Sequence, residues 1–414
     1  MTRLDPAREV WMTAPATRAV IDALTKDGAE ARFVGGVVRN ALLRQPVADI
    51  DIATPLTPDE VTKRLRDAGL GAVPTGIEHG TVTAISNGKP YEITTLRHDV
   101  STDGRRATVA FTTDWKEDAA RRDFTMNALY ASAGGEVFDY FGGLADLQAG
   151  LVRFVGDPVT RIREDYLRIL RLFRFHAWYG KGDIDKDALR AAAAGKAGIA
   201  NLSGERIQKE MLRLLEAEDP LPALRTMAAC GIFAEILPGA LNFARLEGLV
   251  ATDRGNFFSA DPLLRLSALL PDDVAVVEAI AERWKLSNAA RDRLVDLAGA
   301  KEMIVSYLSP KEVRKLLYRL GAEPFRHRVR LHWASDPKAS NTVQWRALLA
   351  MSDAWQRPKF PLTGRDVMNA GVVEGPLVGQ ILAAVEGWWI DSDFPDDEFS
   401  LAERLKSVVQ AIAY

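Results

Sequence analysis

The segment Gly35-Gly36-Val37-Val38-Arg39, followed ten positions later by Asp49-Ile50-Asp51, is the most informative part of this sequence. The residues before it, Ala31–Val34, end in an apolar pair that is typical of a short strand. Two adjacent glycines let the backbone approach a phosphate closely and point N–H groups at it. The pattern therefore predicts a strand that runs into a phosphate-binding turn.

The Asp-Ile-Asp segment adds a pair of carboxylates. Residues two apart on a strand face the same side, so we expect Asp49 and Asp51 to lie together while Ile50 enters the core. Paired carboxylates beside a phosphate-binding turn suit Mg²⁺, which prefers oxygen ligands and substrate phosphates. The alternative interpretation is a strand-end turn with two solvated aspartates.

Three further segments follow in order, and each combines charged residues with an apolar run or a turn. They are Arg121-Arg122-Asp123-Phe124-Thr125-Met126-Asn127-Ala128-Leu129, Asp139-Tyr140-Phe141-Gly142-Gly143, and Glu164–Phe175, a predicted helix with charges at three-residue spacing. In this order, the motifs resemble the class II tRNA nucleotidyltransferases, the CCA-adding enzymes. That family shares its head with bacterial poly(A) polymerases and belongs to the DNA polymerase β-like superfamily.

The resemblance covers roughly residues 31–213 and returns more weakly at 361–367. It implies an α/β nucleotidyltransferase (DNA polymerase β-like) head, followed by an all-α neck, body and tail. Short β-like runs alternate with helical stretches up to about Gly156, and the pattern is helical almost throughout from Pro158 onward. We expect a catalytic head at 1–143, a neck for base selection at 144–213, a body at 214–300 and a tRNA-binding tail at 301–414.

Local predictions of secondary structure support the α/β head. We expect strands at 31–34, 49–53, 81–85, 91–95, 109–112 and 136–139, and helices at 17–27 and 58–68.

The composition is that of an ordinary globular protein. The 414 residues carry a net charge of −3, 47% hydrophobic residues and one cysteine, Cys230. No apolar run approaches the ~20 residues of a spanning helix, and the N-terminus lacks a signal-peptide pattern. Residues 151–181 nevertheless carry seven basic side chains against three acidic ones. We therefore expect a cytoplasmic protein with a basic groove for tRNA and no membrane partner; its oligomeric state stays open.

The implied reaction is attack of an RNA 3′-hydroxyl on the α-phosphorus of CTP or ATP, with release of pyrophosphate. The resemblance makes Asp49 and Asp51 the catalytic metal ligands, with Mg²⁺ as the cofactor. Gly36 and Arg39 match positions that hold the triphosphate, and Arg122 matches a further phosphate or ribose contact.

Two positions near these motifs leave questions open. Asn40 stands where the family commonly has Asp, which puts any charge-dependent role of that position in doubt. Many members of the superfamily use a third carboxylate, for which Glu92 and Asp123 are both candidates. Asp123 could equally serve as a helix cap.

Base choice follows from hydrogen-bond chemistry. Asp165 and Arg168 are three apart on the predicted helix, so they share a face and present an acceptor beside a donor. Cytosine and adenine offer an exocyclic amine next to a bare ring nitrogen, whereas uracil and guanine offer a carbonyl next to an N–H. The pair would therefore accept C and A and reject U and G without a nucleic-acid template.

The family's Glu-Asp-x-x-Arg motif has this role and matches residues 164–168. Arg171 and Arg174 extend the stripe and match further nucleotide contacts. The alternative interpretation is an amphipathic helix whose arginines meet water and surface acids. The motif Ser203-Gly204-Glu205-Arg206-Ile207 matches a segment that braces the neck, and we interpret it as structural.

Residues 98–111 are rich in Asp, Gly and Arg and predict either a disordered surface loop or the family's flexible loop. CCA- and A-adding enzymes need that loop to switch from C to A, so its presence argues against a CC-only enzyme. We therefore expect a template-independent CCA tRNA nucleotidyltransferase. The alternatives are a poly(A) polymerase or A-adding enzyme, and a catalytically inactive tRNA-binding protein. Residues from about 210 onward would hold tRNA, with candidate contacts at Arg265, Arg291, Arg293, Arg314 and Arg319.

Overall fold

The computed structural model describes residues 2–103, 106–237, 239, 241–336 and 338–413. The chain forms two compact units. The first comprises Met1–Pro238 with Ala279–Leu286, and the second comprises Gly239–Glu278 with Ser287–Tyr414. No helix in the described ranges is long and apolar enough to cross a membrane.

The first unit is built on a mixed seven-stranded sheet with the order β3-β4-β5-β2-β1-β8-β9. Strand β1 pairs antiparallel with β2 and β8, and β2 pairs parallel with β5. A separate two-stranded ribbon joins β6 to β7. The strands are β1 Arg32–Val34, β2 Asp51–Thr54, β3 Gly71–Gly76, β4 Thr81–Ser86, β5 Lys89–Thr95, β6 Arg97–Asp103, β7 Arg106–Phe111, β8 Leu129–Ala131 and β9 Val137–Asp139.

Helices pack against this sheet and form much of the remainder of the first unit. They are α1 Val10–Thr13, α2 Pro15–Thr25, α3 Gly36–Leu42, α4 Pro58–Asp67, α5 Trp115–Ala120, α6 Gly143–Ala149, α7 Pro158–Glu164, α8 Leu167–Tyr179, α9 Lys186–Gly195, α10 Gly204–Leu215 and α11 Leu221–Ala229. Short 3₁₀ turns lie at Lys26–Gly28, Ile77–His79, Thr125–Asn127, Lys196–Asn201 and Phe233–Glu235.

The second unit is helical throughout its described elements. It contains α12 Phe243–Asn256, α13 Pro262–Leu269, α15 Asn288–Ala298, α16 Pro310–Leu320, α17 Ala322–Ala334, α18 Thr342–Asp353, α19 Gly364–Asn369, α20 Pro376–Asp391 and α21 Glu398–Ala413, with a 3₁₀ turn at Ala339–Asn341. Helix α14, Val274–Trp284, contributes its last turns to the first unit. One aromatic and aliphatic core, which includes Phe325, Trp333 and Trp345, joins α16, α17 and α18.

The strand-to-helix turn forms as the glycines predict. Gly35 has a φ of 72°, a left-handed conformation that favours glycine, and it ends β1 and begins α3. Its N–H donates to the Leu129 carbonyl at 3.0 Å. Phe33, Val34 and Val38 are buried, so the turn is fixed from beneath by the core of the sheet.

The Asp-Ile-Asp strand differs from its prediction. It begins at Asp51 rather than at Asp49, and Ile50 is half-buried while Ile52 is fully buried. Pairing between β2 and β5 begins at Asp51, because Asp51 and Glu92 are register partners. We expected Ile50 to lie in the core, but Ile52, two residues later, occupies that position.

Two other predictions need correction. The single helix expected over Glu164–Phe175 is broken at Asp165, whose φ of −157° and ψ of 107° are extended. The loop expected over residues 98–111 is instead the β6–β7 ribbon, apart from Gly104 and Arg105, which lie outside the described residues. Strands β3, β6 and β8 were not predicted.

Candidate active site

One cleft of the first unit, about 1120 Å³ in volume, collects every predicted site residue. Its lining includes Gly36, Arg39, Asp49, Asp51, Arg122, Asp165, Arg168, Arg171 and Arg174. Nine basic side chains line the cleft against six acidic ones, which favours a polyanionic ligand. The sheet supplies the acidic edge, and helices α8 and α10 supply most of the opposite wall.

The acidic edge centres on the first residue of β2. Asp51 is half-buried and Glu92 lies beside it in the parallel ladder, while Asp49 is exposed just before the strand. Burial and the carboxylates of Glu92 and Asp49 raise the pKa of Asp51 to about 6, and Arg122 opposes this shift. Three carboxylates of like charge therefore interact at one edge of the cleft, where a cation would relieve their repulsion.

The two candidates for a third carboxylate lie in different environments. Asp123 accepts hydrogen bonds from the Phe124 N–H at 2.8 Å, the Asn127 amide at 3.0 Å and the Arg171 guanidinium. Burial alone would raise the pKa of Asp123, but Arg171 and Asn127 hold it well below its usual range. Because Asp123 is occupied by these partners and Glu92 is the neighbour of Asp51, the geometry favours Glu92.

Arg39 and the residue after it form one hydrogen-bonded unit. The buried Arg39 guanidinium donates to the Asn40 amide oxygen at 2.9 and 3.2 Å, to the Tyr179 hydroxyl at 2.8 Å and to Asn127. The Asn40 side chain also donates to the Pro46 carbonyl at 3.2 Å. Asn40 thus supplies Arg39 with an acceptor, as an aspartate could, but without a negative charge.

Arg122 is positioned by a buried carboxylate that the sequence analysis missed. Asp118 is 1% exposed and accepts from Arg122 at 3.0 Å, from Arg121 at 2.7 Å and from the Tyr130 hydroxyl at 2.6 Å. Burial would raise the pKa of Asp118, but the two arginines hold it well below its usual range. The Nη1 atom of Arg122 is directed towards Gly35, where an added Cβ would lie 3.6 Å away. The spacing of four between Asp118, on α5, and Arg122, just beyond the end of that helix, was the available sequence signal.

The predicted base-selecting pair lies on the same wall, but the two side chains do not bind each other. The Asp165 carboxylate accepts from the Leu167 N–H at 3.1 Å and from Arg206 at 2.6 Å. Arg168 binds Glu164 and the Arg161 carbonyl. Asp165 therefore caps the start of α8 from the break between α7 and α8, instead of lying on a helical face.

Arg171 and Arg174 share a second anchor on α10. Glu210 is 5% exposed and binds both guanidinium groups, at 3.3 Å for Arg171. Arg174 also stacks on Phe175, with its guanidinium carbon 4.2 Å from the ring centroid. Arg206 lies in the segment 203–207 that we interpreted as a structural brace of the neck, and Glu210 lies one helical turn beyond it. Their spacing of four on one helix face was the available signal.

The family models agree with this architecture. Residues 31–153 match the poly A polymerase head domain, and residues 183–243 match the probable RNA and SrmB-binding site of polymerase A. The fold and the cleft thus define a nucleotidyltransferase with a poly(A)-polymerase-type head.

Full-length relatives narrow the class. The chain is 32% identical over 405 residues to the mitochondrial CCA tRNA nucleotidyltransferase 1 of Mus musculus, covering 94% of this chain and 89% of the relative. It is 35% identical over 389 residues to the CCA-adding enzyme of Streptococcus gordonii, covering 91% and 93%. The solved CCA-adding enzyme of Bacillus stearothermophilus in complex with CTP superposes with a TM-score of 0.78 at 27% identity, covering 96% and 98%. The chain belongs to the CCA-adding enzymes, a family of tRNA nucleotidyltransferases.

Proposed function

We propose that the protein adds C, C and A to the 3′ end of tRNA, using CTP and ATP and releasing pyrophosphate. The observation that carries this proposal is the single cleft in which all nine predicted residues meet. Relatives that bear the name CCA-adding enzyme match more than nine-tenths of the chain, which supports CCA addition over poly(A) synthesis.

In this proposal, Asp49 and Asp51 hold Mg²⁺ and Glu92 assists them. The carboxylate oxygens fit this ion, and the pKa of Asp51 is raised by burial and by the negative charge of Glu92 and Asp49, which a cation would neutralise. Among the described residues, no group of three His, Cys, Asp or Glu side chains could hold an ion alone. Water and substrate phosphate would supply the remaining ligands, as is usual for Mg²⁺. When bound, Mg²⁺ lowers the pKa of the attacking hydroxyl and stabilises the leaving oxygens.

The basic wall would bind the triphosphate and the base. Gly36 in the β1–α3 turn and Arg122, which follows α5 and is directed towards Gly35, would face the phosphates, and Arg39 holds the β1–α3 turn against α8 through Tyr179. Asp165 accepts from the exocyclic amine of C or A, and Arg168 donates to the neighbouring ring nitrogen. Uracil and guanine would place a carbonyl against the carboxylate and an N–H against the guanidinium, so both are rejected.

We also propose domain boundaries, a tRNA-binding region and a cellular location. The boundaries 1–143, 144–213, 214–300 and 301–414 remain our proposal for head, neck, body and tail. We propose that the body and tail hold tRNA, and that the protein works in the cytoplasm.

The test uses purified protein, Mg²⁺, a tRNA that lacks CCA, and each labelled nucleotide alone and in mixture. We expect one or two C residues with CTP alone, a complete CCA end with CTP and ATP, and no incorporation of UTP or GTP. Long A tracts would identify a poly(A) polymerase, and A added only to tRNA ending in CC would identify an A-adding enzyme. No incorporation in the presence of Mg²⁺ would refute catalysis.

A further inference from the structure

We infer that Arg206 is a specificity-determining positioning residue, which fixes the carboxylate of Asp165 in the orientation that distinguishes C and A from U and G. This inference rests on the proposed function. Arg206 holds the Asp165 carboxylate, so it would set base choice through Asp165 without belonging to the reacting groups.

The Asp165 carboxylate is held at both of its oxygens. One oxygen accepts from the Leu167 N–H at 3.1 Å, and the other accepts from Arg206 Nη2 at 2.6 Å. With both oxygens held, the carboxylate cannot rotate freely about its terminal torsion. Each oxygen still has acceptor capacity for a ligand, because a carboxylate offers about four lone-pair sites.

Asp165, the acceptor of the pair, and Arg168, the donor, are held by different residues. Arg168 is held by Glu164 and the Arg161 carbonyl. Arg161 in turn donates to the Arg122 carbonyl at 2.7 Å, which ties this anchor to the head. Without Arg206, one oxygen of the Asp165 carboxylate would lose its hydrogen bond, while Arg168 lies three positions away in the sequence. The two side chains could then satisfy each other instead of a base.

The helix turn that carries Arg206 is held in place by its neighbours. Arg206 lies in the first turn of α10, and Gly204 begins that helix. A Cβ at Gly204 would lie 2.2 Å from the Arg283 carbonyl oxygen, so only glycine allows this approach to the end of α14. The Leu202 carbonyl also accepts from Arg283 at 3.2 Å. The first turn of α10 is therefore fixed, and the same helix anchors Arg171 and Arg174 through Glu210.

The ion pair between Arg206 and Asp165 is half-buried, which suits it to holding the Asp165 carboxylate in one orientation. The side chains of Arg206 and Asp165 are 24% and 22% exposed, and Asp165 is the ion-pair partner that Arg206 has among the described residues. A charge-assisted hydrogen bond in such a place is shorter and stronger than a solvated one. Lysine would keep the charge but would lose the planar geometry that fixes the direction of the hydrogen bond.

The experiment compares the full-length protein with Arg206→Gln and Arg206→Lys, and uses Arg190→Gln as the control. Arg190 also forms an ion pair, with Asp187, but its side chain is 78% exposed on α9 outside the cleft. We would measure kcat/KM for CTP and UTP on tRNA lacking CCA, and for ATP and GTP on tRNA ending in CC. Each variant's discrimination is a ratio of two rates, so it does not depend on how much of the preparation is folded.

We expect Arg206→Gln to lower the preference for CTP over UTP by about tenfold or more, the loss that one hydrogen bond to a charged group would produce. Arg206→Lys should fall between that variant and the wild type, and Arg190→Gln should match the wild type. In an Asp165→Asn background, Arg206→Gln should change discrimination little further, because both changes act on one contact.

An equal loss for all four nucleotides in Arg206→Gln, or an additive effect in the double variant, would overturn the inference and leave Arg206 as a structural brace. The wild type separates this failure from failure of the proposed function. If the wild type adds C and A and rejects U and G while Arg206→Gln does the same, only the role of Arg206 is wrong. If the wild type does not discriminate, the proposed template is wrong.

Discussion

At the acidic edge of the cleft, the carboxylates repel one another and lower the stability of the folded protein. Asp51 is half-buried beside Glu92, and the nearest cation that opposes their repulsion is Arg122. Arg122 is already bound to the buried Asp118. Like charges arranged in this way weaken the folded state, and such groups concentrate at functional sites.

We therefore expect Asp49→Asn and Asp51→Asn to reduce CTP and ATP incorporation to below a few per cent of wild type. Stability should stay unchanged or rise slightly, because each change removes a repelling charge. Incorporation assays and thermal unfolding would be read together. Asp22→Asn, an exposed position on α2, is the control. Substantial turnover in either variant would contradict the assignment of metal ligands.

A histidine in the second unit predicts a pH effect on stability. Burial and the neighbouring Arg293 lower the pKa of His327 to about 4, although Asp261 and Glu323 act in the opposite direction. An unfolded histidine titrates near 6.5, so the unfolded chain binds more protons between about pH 6.5 and 4. Stability from this group is therefore complete above pH 6.5 and is lost as the pH falls towards 4.

Urea unfolding at pH values from about 7.5 to 4.5 would test this expectation, because that range runs from about one unit above the pKa of an unfolded histidine down through most of the interval in which the unfolded chain binds more protons. His327→Gln should reduce the loss of stability over this range without removing it, since burial also lowers the pKa of His176 and His332. An unaltered slope in His327→Gln would show that His327 does not titrate as expected.

At the scale of elements, the β6–β7 ribbon can be removed without separating its ends. The Thr112 N–H donates to the Leu96 carbonyl at 2.9 Å, so the chain is already closed below the ribbon. The ribbon lies outside the seven-stranded sheet. Its residues coincide with the segment that resembles the family's loop for switching from C to A.

Replacing residues 99–109 by a short Gly-Ser linker should therefore leave C addition nearly intact and abolish A addition. Labelled product on tRNA lacking CCA should stop at CC. A matched control inserts two glycines after Gly88 in the exposed β4–β5 turn, which should change neither step. Parallel loss of C and A addition would mean that the ribbon supports the whole head.

Local signals account for the elements that could be predicted from the sequence. The β1–α3 turn depends on two glycines and neighbouring apolar residues, and it forms where expected. The break at Asp165 was missed because apolar periodicity runs through it, and the partner of Asp165 lies 41 positions away. Strand β8 is buried at all three positions, so it lacks the alternation that marks a strand. Strand β3 contains two glycines and a proline, and its place depends on pairing with β4.

The site was predicted only in part for the same reason, because local signals do not reveal partners that are distant in the sequence. Residue types and order were sufficient to collect the nine lining residues, whereas Asp118, Arg206 and Glu210 act through partners that only the fold brings near. One candidate tRNA contact was wrong. Arg265 is 3% exposed and bound to Asp253, so it cannot contact tRNA from that position. Arg293 and Arg314 are also ion-paired, with Asp261 and Asp393.

At the scale of the whole molecule, a protein that serves every tRNA must recognise features that all tRNAs share. Shape and phosphates are such features, since A-form helices expose little base identity to side chains. We therefore expect tRNA and an acceptor–T-arm minihelix to bind equally, and both to bind better than an unrelated hairpin. Affinity should fall with added salt as phosphate contacts are screened.

Titrations of the full-length protein at two salt concentrations would measure these affinities. The hairpin serves as the control for charge alone, because it has the same kind of backbone without the shape. Preference for one anticodon sequence, or equal binding of all three RNAs, would contradict recognition by shape.

The pairing of Asp51 with Glu92 also links catalysis to the folding pathway. A slip of one residue between β2 and β5 would turn alternate side chains to the other side of the sheet, and the carboxylates with them. This parallel pairing joins segments some forty positions apart, and such non-local contacts form late and slowly. Molecules trapped with a slipped strand would retain compactness and helix content while lacking turnover. The specific activity of a refolded preparation would therefore report the fraction of molecules in which β2 and β5 pair in the correct register.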